Sequence, residues 1–343
     1  MNNFFGLTRK KLEQELINIG EKPFRATQIF EWVYRKKVNS FDDMSNISKS
    51  SIDKLKDNFN FDFFEIETEH KSSDGTRKFL FKLHDGNFIE TVLMKHNYGN
   101  SVCVSTQVGC NMGCSFCASG LNKKKRNLEV YEMVLQVAMV DQIIRQNDEK
   151  VSHVVVMGIG EPFDNYDNLL DFLRIINDAK GLEIGARHIT ISTCGIVPKI
   201  YEFSEFELQV NLAISLHFTN DELRSTHMLI NRSYNIEDLF KALKYYFDKT
   251  NRRITFEYIL IDGINDSIEH ARELVSLVRG MNCYVNLIPM NSTSKILRRS
   301  TNENMNLFYD YLTKNKIPVT LRREQGHDIE AACGQLRIKR EGK

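Results

Sequence analysis

Apolar residues change their spacing twice along this chain. Up to about residue 70 they recur at helical intervals. LTRKKLEQELINIG runs to a stop at Gly20, ATQIFEWVYRK puts Ile29, Trp32 and Val33 on one face, and 52–59 repeats the pattern. From Arg77 the period falls to two. RKFLFKLHDGNFIETVLMK reads as two strands joined through Asp85-Gly86, a hairpin turn signal, with Glu90 in the second strand. From Val102 strands and helices alternate. Strands are expected at SVCVST, 152–158, 186–192, 208–217, 253–260, 284–291 and 317–324. Helices are expected at 128–145, from Asp167, and at 236–249, 267–279 and 302–314. About six such units with right-handed crossovers predict an α/β fold, a partial (β/α)6 barrel of the TIM type. The expected division is a small helical domain at 1–75, a β-hairpin extension at 76–100, and a catalytic core at 101–343.

Composition narrows the class. The 343 residues are 42% hydrophobic and 27% charged, which fits a packed globular protein. The opening MNNFFGLTRKKLEQ has no signal-peptide core, and no run reaches membrane-span length, so a cytoplasmic protein is expected. The net charge of +1 gives no global pull toward nucleic acid. RNA contact would need local patches. The basic helix around Trp32, with Lys22, Arg25, Arg35, Lys36 and Lys37, is one, unless Trp32 is core. The run Lys123-Lys124-Lys125-Arg126 is another, unless it is a solvated loop.

The seven cysteines, with no secretory signal, argue for thiol or metal chemistry over a disulfide framework. Cys110, Cys114 and Cys117 stand at CxxxCxxC spacing, close enough to converge on one metal centre. Three ligands leave a corner open for a substrate or cofactor. The alternative is a structural zinc knuckle completed by Cys103 or His96. Other polar residues follow the predicted strands: Gly158, Gly160 and Glu161 after one, then Ser192, Ser215 with His217, and Asn291 after three more. That edge of a parallel α/β sheet is where ligands bind.

The aromatic Phe116 makes the motif CxxxCxΦC, which resembles the signature of the radical S-adenosylmethionine (SAM) superfamily. DGTRKFLFKL, IETVLM, CVSTQVGCNMGCSFCASG, VVVMGIGEPFDNY, ARHITISTCG, LAISLH and REQGHDIEAACGQL, in that order, resemble the RlmN family over nearly the whole length. The resemblance implies methylation of C2 of adenosine 2503 in 23S rRNA and of adenosine 37 in tRNAs. It implies a [4Fe–4S] cluster on Cys110, Cys114 and Cys117, with SAM at Gly160, Glu161, Ser192, Ser215, Leu216, His217 and Asn291. Cys333 would carry the transferred methyl, Cys103 would resolve the RNA adduct through a transient disulfide with Cys333, and Glu90 would accept the proton. An electron donor such as flavodoxin or ferredoxin is implied, and a monomer is expected.

The related Cfr family methylates C8 of the same base and lacks the proline found here in Gly160-Glu161-Pro162. A non-catalytic, zinc-containing RNA-binding protein is the alternative from a different class. Two stretches depart from the family pattern. Leu229 stands where a proline is common, and Ser292 to Arg299 is unusually basic.

Overall fold

The computed structural model describes residues 2–291 and 297–336. Ten strands lie side by side in the order in which they occur in the chain. They are β1 (Glu65–Lys71), β2 (Arg77–Lys82), β3 (Phe88–His96), β4 (Gly99–Cys103), β5 (Val151–Val156), β6 (Ile189–Thr193), β7 (Asn211–Ser215), β8 (Ile254–Leu260), β9 (Cys283–Pro289) and β10 (Val319–Leu321). The strands from β1 to β4 pair antiparallel. From β4 to β10 every pair is parallel. The six crossovers between those seven strands each carry a helix, giving the partial barrel expected from the alternation.

The helices pack because their apolar residues share a stripe. In Tyr166–Asn177 the buried Leu169, Phe172, Leu173 and Ile176 fall at helical spacing. Side-chain caps mark the starts. Asn235, Ser267 and Thr301 each accept a backbone N–H from the first turn of the helices at Ile236–Thr250, Ile268–Val278 and Asn302–Lys314. On β5, Val154 and Val156 are buried against this helical layer. Alternation turns Val155, and Met157 beyond the strand, into the barrel.

The N-terminal helices are Arg9–Asn18, Arg25–Phe30 and Lys49–Asn58, the second continuing as a π-helical turn over Glu31–Arg35. Aromatic packing holds them together, with Phe4 edge-on to Phe41 at 5.9 Å and to Phe59 at 6.5 Å. Trp32 is half-buried and packs against this core, with Lys36 Nζ 3.4 Å from its ring centroid. The helical reading of the first 70 residues runs too far. Glu65–Lys71 is the outer strand of the sheet, paired to β2. Its charges, alternating with Ile66, Thr68 and His70, suit an exposed edge.

Beyond β10 the chain turns back as a strap across the open side of the barrel. Gln325 Nε2 donates to the Lys95 carbonyl (3.0 Å) and the Gly326 amide to Asp74 Oδ2 (2.8 Å). Lys78 Nζ donates to the Glu330 carbonyl (3.2 Å). The strap thereby carries Cys333 from the β10 edge toward β2 and β3.

Candidate active site

The cysteine loop leaves β4 and folds on itself. The Cys110 amide donates to the Asn122 carbonyl (3.0 Å), and the Cys117 amide to the Cys114 carbonyl (3.2 Å). Gly113 sits at φ +66° beneath Leu229, where a Cβ would lie 2.7 Å from Leu229 Cδ1. The loop 227–230 clamps this turn from outside, with the Ser115 amide donating to the His227 carbonyl at 3.0 Å. Leu229, the departure from the family pattern, is therefore an exposed lid on the cysteine loop.

Cys110, Cys114 and Cys117 line one open cavity together with Gly160, Glu161, Ser192, Ser215, His217 and Cys333. Burial pushes the Cys110 thiol up to about 11 and raises Cys114 further, and each also feels Cys117. Metal binding would draw these protons off. Among the described residues no three His, Cys, Asp or Glu side chains converge on a single ion. The three thiols line one shared cavity. His96 is no fourth ligand. It stacks on Tyr98 at 4.6 Å and does not line the cavity.

The polar residues at the strand ends are held by the backbone. Glu161 accepts the amides of Phe163 (3.0 Å) and Cys194 (2.8 Å), and burial raises its pKa. Ser192 and Ser215 sit with hydroxyls 3.3 Å apart. His217 Nδ1 accepts the Ile259 amide (3.1 Å), so the neutral ring carries its proton on Nε2. Burial, then the nearby Arg224, lowers its pKa to about 3 and keeps it neutral. Leu216 is fully buried, and strand alternation turns its side chain away from the cavity that Ser215 and His217 line.

Cys103 and Asn291 line an adjoining, narrower compartment, which shares Cys333, Arg322, Met157 and Ile288 with the first. Asn291 Nδ2 donates to the Cys333 carbonyl (3.0 Å), and the Ala118 amide to the Gly334 carbonyl (2.7 Å). Cys333 is thus pinned between the cysteine loop and β9. Cys103 is buried; burial, then Cys333, pushes its thiol up to about 12, although Arg322 opposes the shift.

The structure holds no standing disulfide between Cys103 and Cys333, so the disulfide-bond expectation is corrected to a bond that could form only in turnover. All seven cysteines are free, and burial favours the neutral thiol at Cys103. Glu90 lines neither compartment. It is buried on the same face of β3 as Val92 and Met94, with Oε1 3.4 Å from Lys78 Nζ.

Two of the four cations in the basic run are tied to carboxylates, while Lys123 and Lys125 are exposed. Lys124 Nζ pairs with Asp164 at 2.7 Å, and Arg126 forks onto the buried Glu132 at 2.7 and 2.8 Å while also reaching Asp85 at 2.7 Å. Arg35 is likewise engaged, with Glu183 at 3.3 Å. Of Ser292 to Arg299, positions 292–296 lie outside the described residues.

Two cavity residues escape the sequence reading. Glu257 on β8, paired in register with Ser215, is buried, and its Oε2 has no hydrogen-bond partner among the described residues. Asn286 holds its other oxygen at 2.9 Å. A carboxylate inside the apolar run ITFEYIL was the available signal. Arg322, the first residue past β10, is the other. Glu257 Oε2 and the equally unpartnered Asn291 Oδ1 are buried acceptors. They suit a ligand rich in donors, such as the ammonium, ribose hydroxyls and amino group of SAM.

Residues 104–275 match the model of the radical SAM superfamily, and residues 2–60 match the ribosomal RNA large subunit methyltransferase N-terminal domain. A probable dual-specificity RNA methyltransferase RlmN from Spiroplasma citri is 55% identical over all of this chain and 99% of its own length. The chain belongs to the RlmN family. A relative of the same name from Bacillus subtilis is 56% identical over 96% of this chain and 91% of its own length. The fold agrees. A radical SAM methyltransferase from Sphaerobacter thermophilus, known from its crystal structure, superposes with a TM-score of 0.94 and 43% identity, covering 98% of this chain and 99% of that one. RlmN membership brings a [4Fe–4S] cluster and SAM as cofactors, and the three-thiol cavity with its unpartnered acceptors fits both.

Proposed function

We propose that this protein methylates C2 of an adenosine in 23S rRNA, and of an adenosine in tRNAs, through a methylated Cys333. One observation carries the reading: Cys333 lies at the join of two compartments, with the cluster cysteines in one and Cys103 in the other. C2 of adenine is not a nucleophile, so simple methyl displacement from SAM fails there, and radical chemistry is required. Cluster and SAM, once bound, supply a hydrogen-abstracting 5′-deoxyadenosyl radical.

The chain's own residues do the rest. Cys110, Cys114 and Cys117 hold the cluster. Gly160, Glu161, Ser192, Ser215, His217 and Asn291, with the backbone at Leu216, orient SAM. The Cys333 thiolate accepts a methyl group, loses one hydrogen from it, and adds the resulting carbon radical to C2. Glu90 takes the C2 proton. The unpaired electron then leaves to the protein's redox centre, the Cys103 thiolate bonds to the Cys333 sulfur as the sulfur–carbon bond breaks, and the released methylene takes up a proton to become the methyl group of the freed base. Residues 1–75 serve as an accessory RNA-binding domain, 76–100 as a hairpin extension, and the core follows from 101.

The same reading places the protein in the cytoplasm as a monomer, drawing electrons from a flavodoxin or ferredoxin. No helix of the described residues is long and apolar enough to cross a membrane. The test is nucleoside mass spectrometry on rRNA and tRNA from a deletion strain with and without this protein restored. Restored 2-methyladenosine is expected. Its absence from both RNAs sinks the proposal, and 8-methyladenosine in its place moves the activity to the C8 chemistry.

A further inference from the structure

The compartment between Cys103 and Cys333 has apolar walls, including Val92, Met94, Val155 and Ile288, and the half-buried cation Arg322 at its inner end, where it meets the first cavity. The Arg322 amide donates to the Leu287 carbonyl at 2.8 Å, which fixes the root of the side chain at the end of β10. The side chain lines both compartments, with Cys103 and Cys333 in one and Glu257 and Cys333 in the other. It has no hydrogen-bond partner among the described residues. A guanidinium carries five donors and stays charged. Donors left open at a half-buried cavity wall are available to a ligand that brings acceptors. The neighbouring rim residues differ: Arg323 is exposed, and Glu324 is tied to Arg299 at 2.5 Å.

We infer that Arg322 is a catalytic contact for the nucleobase that the proposed function brings to this compartment, donating to the ring nitrogen beside the carbon that is methylated. The inference rests on the proposed function and deepens it. During one turnover the base must reach the sulfur of Cys333, where its bond forms, and the sulfur of Cys103, where that bond is released. This compartment is lined by both. Apolar walls with a few directed polar groups, here Arg322 and Asn291, are the usual setting for a flat heterocycle.

The charge has a use in the reaction. The step forms one carbon–carbon bond, from the methylene radical on Cys333 to C2. The unpaired electron then resides in the ring, and the C2 proton leaves to a base. Both events load electron density onto N1 and N3, the nitrogens that flank C2. A guanidinium donor at either one strengthens as that density develops, so it favours the addition over mere binding. A guanidinium stays charged at any working pH, whether or not Cys333 is methylated, so the donor is always loaded.

The test uses the full chain reconstituted with its cluster, in a Cys103→Ala background that traps the covalent protein–RNA adduct. Adding Arg322→Met should leave Cys333 methylation intact, read as one methyl's mass on the protein. Adduct formation should slow by about a hundredfold, the scale for removing one preorganised donor. Arg322→Lys should recover part of that loss. An Arg322→Met protein that forms adduct at the parental rate overturns the inference. So does one whose Cys333 stays unmethylated, because Arg322 would then serve methyl acceptance and not the base. Iron content and SAM cleavage without RNA report whether the site is assembled. If Arg322→Met fails there, the same two readings on Arg322→Lys decide, with slowed adduct on a fully methylated Cys333 as support. A parental Cys103→Ala protein that traps no adduct at all brings down the proposed function instead, and this inference with it.

Discussion

Asp74 and Gly326 are 252 positions apart, yet the carboxylate of one accepts the backbone amide of the other at 2.8 Å. Asp74 also accepts the Thr76 amide at 2.8 Å, so a single side chain shapes the β1–β2 turn and ties the strap to it. Asp74→Ala should leave the barrel folded and free the strap. Hydrogen exchange at Gly326 and Ala331 should speed up, and methyl loading of Cys333 should fall. Unchanged exchange would remove Asp74 as the anchor.

The same contact sets a pH dependence. Partial burial raises the pKa of Asp74, but the amides of Gly326 and Thr76 outweigh it and hold the group at about 2. A depressed carboxylate stabilises the folded form above its unfolded pKa of about 3.9 and loses that contribution as pH falls toward the folded value. Strap protection should therefore be constant above about pH 4 and decline between about pH 4 and 2. Asp74→Asn should remove this decline, and an identical acid profile in that variant would refute it.

Replacing any one of Cys110, Cys114 or Cys117 by Ala should abolish iron binding and reductive SAM cleavage together. Three thiolates hold the cluster and none is spare. Iron and sulfide analysis of the Cys114→Ala protein is the check, and a variant that still cleaves SAM would break the assignment.

The two sulfurs beyond the cluster should fail in different ways. Cys333→Ala should form no bond to RNA, while Cys103→Ala should accumulate the adduct, visible as a shifted band in a denaturing gel. The double variant should show none. A Cys103→Ala enzyme that turns over without trapping RNA would refute the resolving role.

The salt bridges of the basic run make a further prediction. Arg126→Met strips the buried Glu132 of its bidentate partner. It should cost roughly 2 kcal/mol of stability in denaturant titration, discounted because Arg126 is partly exposed. The salt dependence of RNA binding should not move. A slope change of about 0.7–0.9 log unit would instead make Arg126 a phosphate contact.

Much of the site was readable because its parts sit at the ends of elements the sequence announces. Gly160, Ser192, Ser215 and Asn291 each follow an apolar strand, and a parallel sheet brings such ends together whatever lies between them. What stayed hidden depends on partners from distant segments. Lys124 looks free until Asp164 arrives from the next unit, 40 positions on. Arg322 looks like one more surface cation until the strap places Cys333 against it. Glu65–Lys71 reads as helix or loop because an edge strand needs little apolar character, and only its ladder to β2 defines it.

The sheet is laid down in strict chain order, and the strap that bears Cys333 closes it last. A polypeptide leaving the ribosome from its N-terminus can complete the cysteine loop and most of the barrel before residue 333 has been polymerised. The metal centre then has an interval in which it can be loaded through the side that the strap later covers. Maturation and catalysis would use the same opening at different times, and the final turn of synthesis would convert a cofactor-loading port into a substrate chamber.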